Sequence, residues 1–286
     1  MLSQICVSII FNIWHAAKYV KRVLPDTRSK LDAFLNRHPR IGEVLATAMS
    51  SVEVHMLDVF NFIDARISKY FKIRIMRTIL KDRWGARVIP LDINIPVETQ
   101  FLPTQEISEI VSRSSVFAIG KCYCRTKHHR CDNPTATCIL LGSKAGRSLR
   151  EVPYRTKVFT RVSKEKILNV LKDCDDKGLV HQVIFFPSPD FYYVICNCCT
   201  CCCEVLHDYK RFLSPRIVKS DFIEHTAADR CKNCGTCVGA CPFDARMIDR
   251  ARQLQVNQDM CFGCGLCVKK CPARAITLQK RDEQGR

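Results

Sequence analysis

A repeated arrangement of eight cysteines near the C terminus constrains this chain more than any other feature of its sequence. The two copies run Cys231-x-x-Cys234-x-x-Cys237-x-x-x-Cys241-Pro242 and Cys261-x-x-Cys264-x-x-Cys267-x-x-x-Cys271-Pro272. A glycine follows the second cysteine of each copy, at Gly235 and Gly265. Thiols at this spacing converge on a metal centre when the backbone turns around it. The repeat therefore predicts two metal centres held by thiolates.

Two other uses of eight cysteines have to be weighed, namely four disulfides or two zinc sites. Disulfides need an oxidising compartment, and the first residues of the chain lack both the charged region and the cleavage site of a secretion signal. Zinc ribbons pair Cys-x-x-Cys knuckles without a third step and without the Cys-Pro ending. The pattern therefore favours iron–sulfur clusters in a reducing cytoplasm.

The segment from about residue 217 to 279 resembles a bacterial ferredoxin domain with two 4Fe–4S clusters. In such domains the proline after the fourth cysteine carries this ligand away from its neighbours, so that it binds the other cluster. The resemblance therefore implies two ligand sets that cross between the copies. One cluster is expected on Cys231, Cys234, Cys237 and Cys271, and the other on Cys261, Cys264, Cys267 and Cys241.

The formal net charge of +17 over 286 residues overstates how basic the folded protein is. Each cluster with its four thiolates carries about two negative charges, which lowers the sum. The remaining basic surface predicts an acidic redox partner or contact with an anionic membrane. No nucleic-acid-reading module accompanies the charge, so we expect no nucleic acid partner.

Two further cysteine regions lie upstream of the repeat. They comprise Cys122, Cys124, Cys131 and Cys138, and then the dense block Cys196, Cys198, Cys199, Cys201, Cys202 and Cys203. Neighbouring residues of a strand point to opposite faces, so a regular strand cannot direct the whole block at one cluster. We expect a loop that presents several thiols to one site or divides them between two.

The ten upstream thiols are predicted to form a metal site, because idle thiols at this density are prone to oxidation. Buried strands are predicted at 116–119 and 192–195, and their direct pairing would bring both cysteine regions to one end. Ten thiols can hold two additional 4Fe–4S clusters with two left over, or one larger cluster. We favour two additional clusters.

The segment between the two upstream regions predicts a helix and then a strand. Ser163 caps a helix that runs through Cys174, Gly178 closes it, and residues 179–184 are extended. We predict that His181 in this strand is a packed or hydrogen-bonded residue and not a metal ligand.

The predicted fold class is α+β with three regions. Residues 1–100 form a helical region, 101–215 a small α/β cysteine-rich metal-binding domain, and 216–286 the ferredoxin domain.

Apolar residues at helical spacing in 2–24 predict an amphipathic helix, and its apolar run is too short to span a membrane. We expect it to contact a membrane surface or a partner subunit, with packing on its own domain as the alternative. The protein is expected in the cytoplasm, with the inner membrane face as a place of attachment.

The chain from about residue 117 to the C terminus resembles a family of multi-cluster iron–sulfur proteins of anaerobic bacteria and archaea. The resemblance rests on Cys-x-Cys-Arg at 122–125, Gly-Leu-Val-His at 178–181 and the cysteine block at 196–203. It implies an electron-transfer protein or a subunit of an anaerobic oxidoreductase.

Two other functions remain open at this point. One is an oxidoreductase whose 122–203 region builds a catalytic iron–sulfur centre. The sequence contains no radical-SAM motif, phosphate-binding loop or Rossmann fingerprint, so no organic cofactor is implied. The other is a redox-sensing DNA-binding regulator, which rests on the charge and on a helix–glycine–strand pattern similar to half of a winged helix.

Overall fold

The computed structural model describes residues 37–38, 85–91, 107–114, 116–142, 159–185, 192–212 and 217–281. The amphipathic helix predicted for residues 2–24 lies outside these ranges, as does most of the predicted helical region 1–100. The described residues contain both helices and strands, which confirms a mixed α+β class.

Seven of the described strands form one sheet. They are β1 (Gly85–Val88), β2 (Val116–Gly120), β3 (Cys138–Gly142), β4 (Thr160–Val162), β5 (Val180–Phe185), β6 (Tyr192–Cys198) and β7 (Ile217–Val218). Their order across the sheet is β4-β2-β3-β6-β5-β1-β7. Neighbouring strands are antiparallel apart from β1 and β7, which run parallel.

Four helices accompany this sheet in the described residues: α1 (Ile107–Arg113), α2 (Tyr123–His128), α3 (Lys164–Asp176) and α4 (Glu204–Phe212). The sequence predicted α3 and its limits. The Ser163 hydroxyl accepts a hydrogen bond from the Lys166 backbone N–H at 3.2 Å, which satisfies one of the free donors at the helix start. Gly178 follows the helix with φ 72°, a conformation that favours glycine.

The core of the sheet domain lies where α1 and α3 cover one face of the sheet. Side chains of a strand alternate between faces, so every second residue of β2, β3, β5 and β6 reaches this core. It consists of Ile107, Ile110 and Val111 of α1, Ile167 and Leu171 of α3, and Phe117, Ile139, Leu141, Val183 and Ile195 of the strands, with Ile89 and Leu91. A smaller apolar cluster occupies the opposite face and includes Ala118, Leu140 and Val194.

The strands before the two upstream cysteine regions are arranged differently from the prediction. The sequence suggested that β2 and β6 pair directly, which is wrong, because β3 lies between them. Cys138 itself begins β3, where it pairs with Gly120 of β2. Because β2 and β6 are both antiparallel to β3, they run in the same direction and end at the same edge of the sheet. The two cysteine regions therefore do meet.

The C-terminal repeat folds into short elements around the cysteines. β8 (Phe222–Thr226) pairs with β11 (Ile276–Lys280), and β9 (Arg246–Ile248) pairs with β10 (Leu254–Val256). Helices α5 (Thr236–Gly239) and α6 (Leu266–Lys270) carry the third cysteine of each copy, and a 3₁₀ turn (Gln258–Met260) precedes the second copy. Gly235 and Gly265 precede the helices with φ 74° and 80°, which explains the glycine in both copies.

The sheet extends past the domain limits that the sequence suggested. β1 lies within the predicted helical region 1–100, and β7 lies within the predicted ferredoxin domain 216–286. An apolar cluster connects the two parts, because Val88 and Val180 of the sheet share it with Phe243, Phe262 and Leu266 of the repeat. The sheet domain and the repeat are therefore packed against one another.

Gly263 lies at this junction in a position where no larger residue fits. It has φ 66°, and a Cβ atom there would lie 2.1 Å from the Phe222 carbonyl oxygen and 2.3 Å from Ser220 Oγ. The matching position of the first copy is Asn233, which also has a positive φ, of 50°. The second copy needs glycine because its loop lies against the chain just before β8.

We expect Gly263→Ala to lower the free energy of unfolding far more than the matched control Gly178→Ala. Gly178 has a similar φ of 72°, but nothing lies within 4 Å of its missing Cβ. The control should cost about 1–2 kcal/mol for the left-handed backbone. The clash at Gly263 should add about 1–3 kcal/mol. Denaturant unfolding under anaerobic conditions measures both, and equal losses would contradict this account.

Candidate metal centres

Two cavities lie within the C-terminal repeat, and each is bounded by four cysteines. The first cavity, of about 330 Å³, is lined by Cys231, Cys234, Cys237 and Cys271. The second cavity, of about 350 Å³, is lined by Cys241, Cys261, Cys264 and Cys267. The fourth cysteine of each copy thus lines the cavity of the other copy. This division coincides with the ligand sets expected from the sequence, and ligation itself stays a prediction.

Two thiols of the second cavity, those of Cys264 and Cys267, are suited to iron because of their surroundings. Burial, followed by the nearby Cys267 thiol, raises the pKa of Cys264 well above its usual value. Burial also raises the pKa of Cys267 to about 12. Thiols in such surroundings need a metal's positive charge to exist as thiolates, so the donor set fits a cationic iron centre.

A buried ion pair connects the two cavities. Arg246 Nη1 donates a hydrogen bond to the Sγ atom of Cys237 at 3.4 Å, and the same side chain lines the second cavity. Its Nη2 atom contacts the carboxylate of Glu224, which is equally buried. Burial lowers the pKa of Arg246, but the nearby Cys267 sulfur and Glu224 raise it by more. The guanidinium is therefore charged beside both sets of cysteines.

Four of the upstream cysteines converge tightly. We call Cys131, Cys199, Cys201 and Cys202 the four-thiol group, since their sulfur atoms all lie within 4.8 Å of one another. The Cys131 sulfur is 3.6 Å from that of Cys199 and 3.8 Å from that of Cys202. Burial raises the pKa of Cys131, but hydrogen bonds from Asn133 and from neighbouring thiols bring it down to about 7. This cysteine is thus readily converted to a thiolate ligand.

Five other upstream cysteines are connected in a more extended way. We call Cys122, Cys124, Cys203, Cys198 and Cys196 the five-thiol group, in which each thiol shifts the pKa of a neighbouring thiol along this order. The thiols of Cys124 and Cys198 lower the pKa of Cys203 to about 5. The side-chain amide of Gln182 also faces the Cys203 sulfur, at 3.9 Å. This group offers one thiol more than a 4Fe–4S cluster binds.

The end of β6 explains why the dense cysteine block divides between two groups. Cys196 and Cys198 lie on the strand, two residues apart, and so point to the same face. The strand stops at Cys198, and the chain then turns. Cys199 and Cys202 pack instead with Cys174 of α3 and with Leu179, on the side where α3 lies. The prediction of a loop for the whole block is wrong for Cys196 and Cys198, which lie on β6, and the division between two sites was one of its two alternatives.

A buried arginine holds the two upstream cysteine regions together. Arg125 of α2 is 1% exposed and donates hydrogen bonds to the backbone oxygens of Pro134 and Asn197 and, at 3.1 Å, to Thr137 Oγ1. The Asn197 amide donates in turn to the Thr137 carbonyl oxygen at 2.7 Å. These bonds fix the loop 129–137 against the end of β6, which is how Cys131 reaches Cys199.

Arg125 is also a counter-charge to the thiols. Burial lowers its pKa, but the nearby sulfurs of Cys122, Cys199 and Cys198 raise it by more, so the guanidinium stays charged. Cys122 and Cys198 belong to the five-thiol group and Cys199 to the four-thiol group. One arginine therefore neutralises charge in both.

His181 is buried and hydrogen-bonded, as the sequence predicted. Its Nδ1 atom lies 2.6 Å from Asn197 Oδ1, and its Nε2 atom lies 3.8 Å from Asp175 Oδ1. Asp175 also contacts the ammonium group of Lys269, on α6 of the repeat. This polar chain is a second connection between the end of β6 and the C-terminal repeat.

Three residues of these sites were given no role from the sequence, and one proposed ligand, Cys138, lies in an apolar cluster against which Cys196 of the five-thiol group packs. Cys174 is buried beside the four-thiol group, but as a single cysteine in a helix it gave no signal. Arg125 directly follows Cys124, and Asn197 lies between Cys196 and Cys198. A polar residue at such a position is a sequence signal that could have suggested a role at the metal site. Cys138, proposed as a cluster ligand, is buried in the apolar cluster of Ala118 and Leu140.

Comparison with known proteins agrees with the C-terminal geometry. Residues 224–278, which include all eight cysteines of the repeat, match the family model of the 4Fe-4S dicluster domain. The C-terminal part of this chain is therefore a ferredoxin-like domain with iron–sulfur cofactors. No curated protein matches the chain. Within the residues that the structure describes, no helix has the length and apolar character needed to cross a membrane.

Cross-ligation in the ferredoxin-like domain can be tested by pairs of substitutions. We expect Cys241→Ala to remove the cluster of the second cavity, with a loss of about four iron atoms per chain. Adding Cys264→Ala, which affects the same cavity, should remove no further iron. Adding Cys234→Ala, which affects the first cavity, should remove about four more. Iron analysis after anaerobic purification gives the answer, and the reverse pattern would show that each copy ligates its own cluster.

Arg246 should raise the reduction potential of the adjacent clusters, because reduction adds negative charge beside its guanidinium. We expect Arg246→Gln to lower the reduction potential of a cluster by about 60–130 mV. A hydrogen bond from a charged group contributes about 1.5–3 kcal/mol, and this range is that energy converted to a potential for a one-electron couple. Arg246→Lys keeps the charge and is the control, with a smaller shift expected. Redox titration followed by electron paramagnetic resonance measures both, and equal shifts would exclude a charge effect.

Proposed function

We propose that this chain is an iron–sulfur electron-transfer protein or subunit. It relays single electrons through two 4Fe–4S clusters in the ferredoxin-like domain and a further iron–sulfur centre at the five-thiol group. One cluster uses Cys231, Cys234, Cys237 and Cys271, and the other uses Cys261, Cys264, Cys267 and Cys241.

One observation carries this proposal. Cys198 and Cys203 of the five-thiol group belong to the same apolar cluster as Phe262 and Leu266, and Cys241 and Cys264 of the second cavity pack against it. An electron leaving the second cavity thus meets the five-thiol group across packed side chains, with no water layer between them.

The two cavities are in contact in the same manner. Cys237 of the first cavity and Cys267 of the second lie in one apolar cluster, against which Cys271 packs. The three centres therefore form a series in which the first cavity, the second cavity and the five-thiol group follow one another. A series of centres is the arrangement that a relay requires.

The first cavity is the end at which electrons are exchanged with a partner. Cys234 is exposed, whereas Cys261 and Cys267 of the second cavity are buried. Exposed basic side chains surround it, including Arg230, Lys232 and Arg274. A basic rim favours an acidic redox partner, because opposite charges steer the encounter. A cytoplasmic, anaerobic setting and contact of residues 1–24 with a membrane or partner subunit complete the proposal.

The alternative of a catalytic centre in the region 122–203 is less well supported. A catalytic iron–sulfur centre needs an iron with an open position for the substrate. Five thiols around one cluster exceed the four that its irons bind, so all four irons can carry a thiolate. The thiol inventory therefore favours a centre that only carries electrons.

The number of electrons that the full chain accepts tests the relay. Anaerobic titration with a strong one-electron reductant should add about three electrons per chain, one for each centre. The double variant Cys124→Ala/Cys203→Ala removes two central members of the five-thiol group and should accept about two. Its ferredoxin clusters should keep their spectra, because neither cysteine lines a ferredoxin cavity.

Cys174→Ala is the matched control for this titration, because Cys174 is a buried upstream cysteine that packs with Cys199 and Cys202 and not with the five-thiol group. It should accept as many electrons as the unchanged chain. An unchanged chain that takes up about two electrons would overturn the role of the five-thiol group while leaving the ferredoxin-like domain as a carrier.

A further inference from the structure

We propose that the four-thiol group binds a single tetrahedral metal ion, zinc or iron, and not a 4Fe–4S cluster. This site is not part of the proposed electron relay and holds the upstream part of the protein together. Zinc here would accept no electron. An iron ion would add one electron to the reductive titration above, and Cys201→Ser would remove that electron without affecting the other centres. It is formed by Cys131, Cys199, Cys201 and Cys202.

The distances between the sulfur atoms indicate whether the site holds one metal ion or a cluster of several. A tetrahedral ion with metal–sulfur bonds of about 2.3 Å places its four sulfurs about 3.8 Å apart. The Cys131 sulfur lies 3.6 Å from Cys199 and 3.8 Å from Cys202, and the Cys201 and Cys202 sulfurs are 3.8 Å apart. In a 4Fe–4S cluster each thiolate binds a different iron, on the outside of the cube, so the sulfurs stand farther apart.

The same chain contains an internal standard for cluster-binding cysteines. The eight cysteines that match the 4Fe-4S dicluster domain line two cavities of the repeat. Throughout the described parts of the chain, the four-thiol group is the one set of three or more potential ligands whose atoms all lie within 4.8 Å. The four sulfurs are therefore spaced like the ligands of one ion, whereas the sulfurs of the ferredoxin cysteines are not.

The local backbone is built to present these four sulfurs. The Cys203 N–H donates to the Cys199 carbonyl oxygen at 3.1 Å, which closes a turn that carries three of the ligands. Cys131 comes from the loop 129–137, where Asn133 Nδ2 donates to its sulfur at 3.5 Å. Arg130 of the same loop donates to the Cys201 carbonyl oxygen at 3.2 Å. Such hydrogen bonds fix ligands in place and are typical of the surroundings of metal sites.

Charge compensation is also present. A divalent ion with four thiolates carries a net charge of about −2. The buried guanidinium of Arg125 interacts with Cys199, and Arg130 lies on the adjoining loop. The ion would connect this loop to the end of β6, and these two segments flank Cys124, Cys198 and Cys203 of the five-thiol group. It therefore acts as a cross-link that keeps the five thiols assembled.

The metal content of full-length variants tests this site. We expect the anaerobically purified chain to contain one tetrahedral ion in addition to its cluster iron. Cys201→Ser should lose about one metal atom per chain and keep the iron of the ferredoxin-like domain. Cys174→Ser is the matched control, because Cys174 is a buried cysteine of the same apolar cluster but does not belong to the four-thiol group. It should lose no metal.

Elemental analysis identifies the ion as zinc or iron. X-ray absorption at the zinc edge gives the neighbours of a zinc ion in the unchanged chain, so this test does not depend on the folding of any variant. Four sulfur neighbours at about 2.3 Å without a nearby metal atom support the proposal when the ion is zinc. When it is iron, the loss of one atom and not four supports it. Loss of about four iron atoms from Cys201→Ser, or replacement of zinc by a cluster on incubation with iron and sulfide, would overturn the proposal. Neither result bears on electron uptake by the ferredoxin-like domain.

Discussion

The alternation of side chains at the end of β6 is the constraint on which both upstream thiol groups depend. Cys196 and Cys198 point to one face of the sheet, while Asn197 between them points to the other and contacts His181. Once the strand ends, the next cysteines are free to turn toward α3, where Cys199 and Cys202 are buried. Cysteines that adjoin in sequence are thereby separated in space. This geometry favours two separate centres over a single centre for the whole block.

A site could be predicted from the sequence when the contacts that build it join residues close together along the chain, and not when they join distant ones. The eight ferredoxin cysteines are arranged by local turns. Their spacing alone therefore led to two predicted ligand sets, and these coincide with the cysteines that line the two cavities. The four-thiol group needs Cys131, which lies 68 residues from Cys199 along the chain. It reaches its place through Arg125 and through β3, a strand that begins at a cysteine expected to bind metal. The spacing of residues in the sequence reveals neither of these two long-range contacts.

The two copies of the cysteine repeat are alike in sequence but differ in their surroundings. Gly263 lies against the chain next to Phe222, whereas Asn233 in the first copy has space for a side chain that accepts a hydrogen bond from the Leu254 N–H. The second copy is buried against the sheet domain through Phe262 and Leu266, and Lys269 adds an ion pair with Asp175. The first copy is left at the surface. This difference, which the sequence symmetry conceals, makes the first cavity the more accessible end of the proposed series of centres.

The buried arginines change how the formal charge of +17 should be understood. Arg125, Arg246 and Arg281 are each less than a tenth exposed, and each contacts a cysteine-bearing segment. Arg125 and Arg246 face thiols directly, and thiolates contribute to keeping both guanidinium groups charged. Part of the positive charge is therefore internal and balances the negative charge of metal-bound thiolates, since an unpaired buried charge is costly. The charge that remains at the surface is that of exposed residues such as Arg230 and Lys232, which lie near the first cavity in sequence.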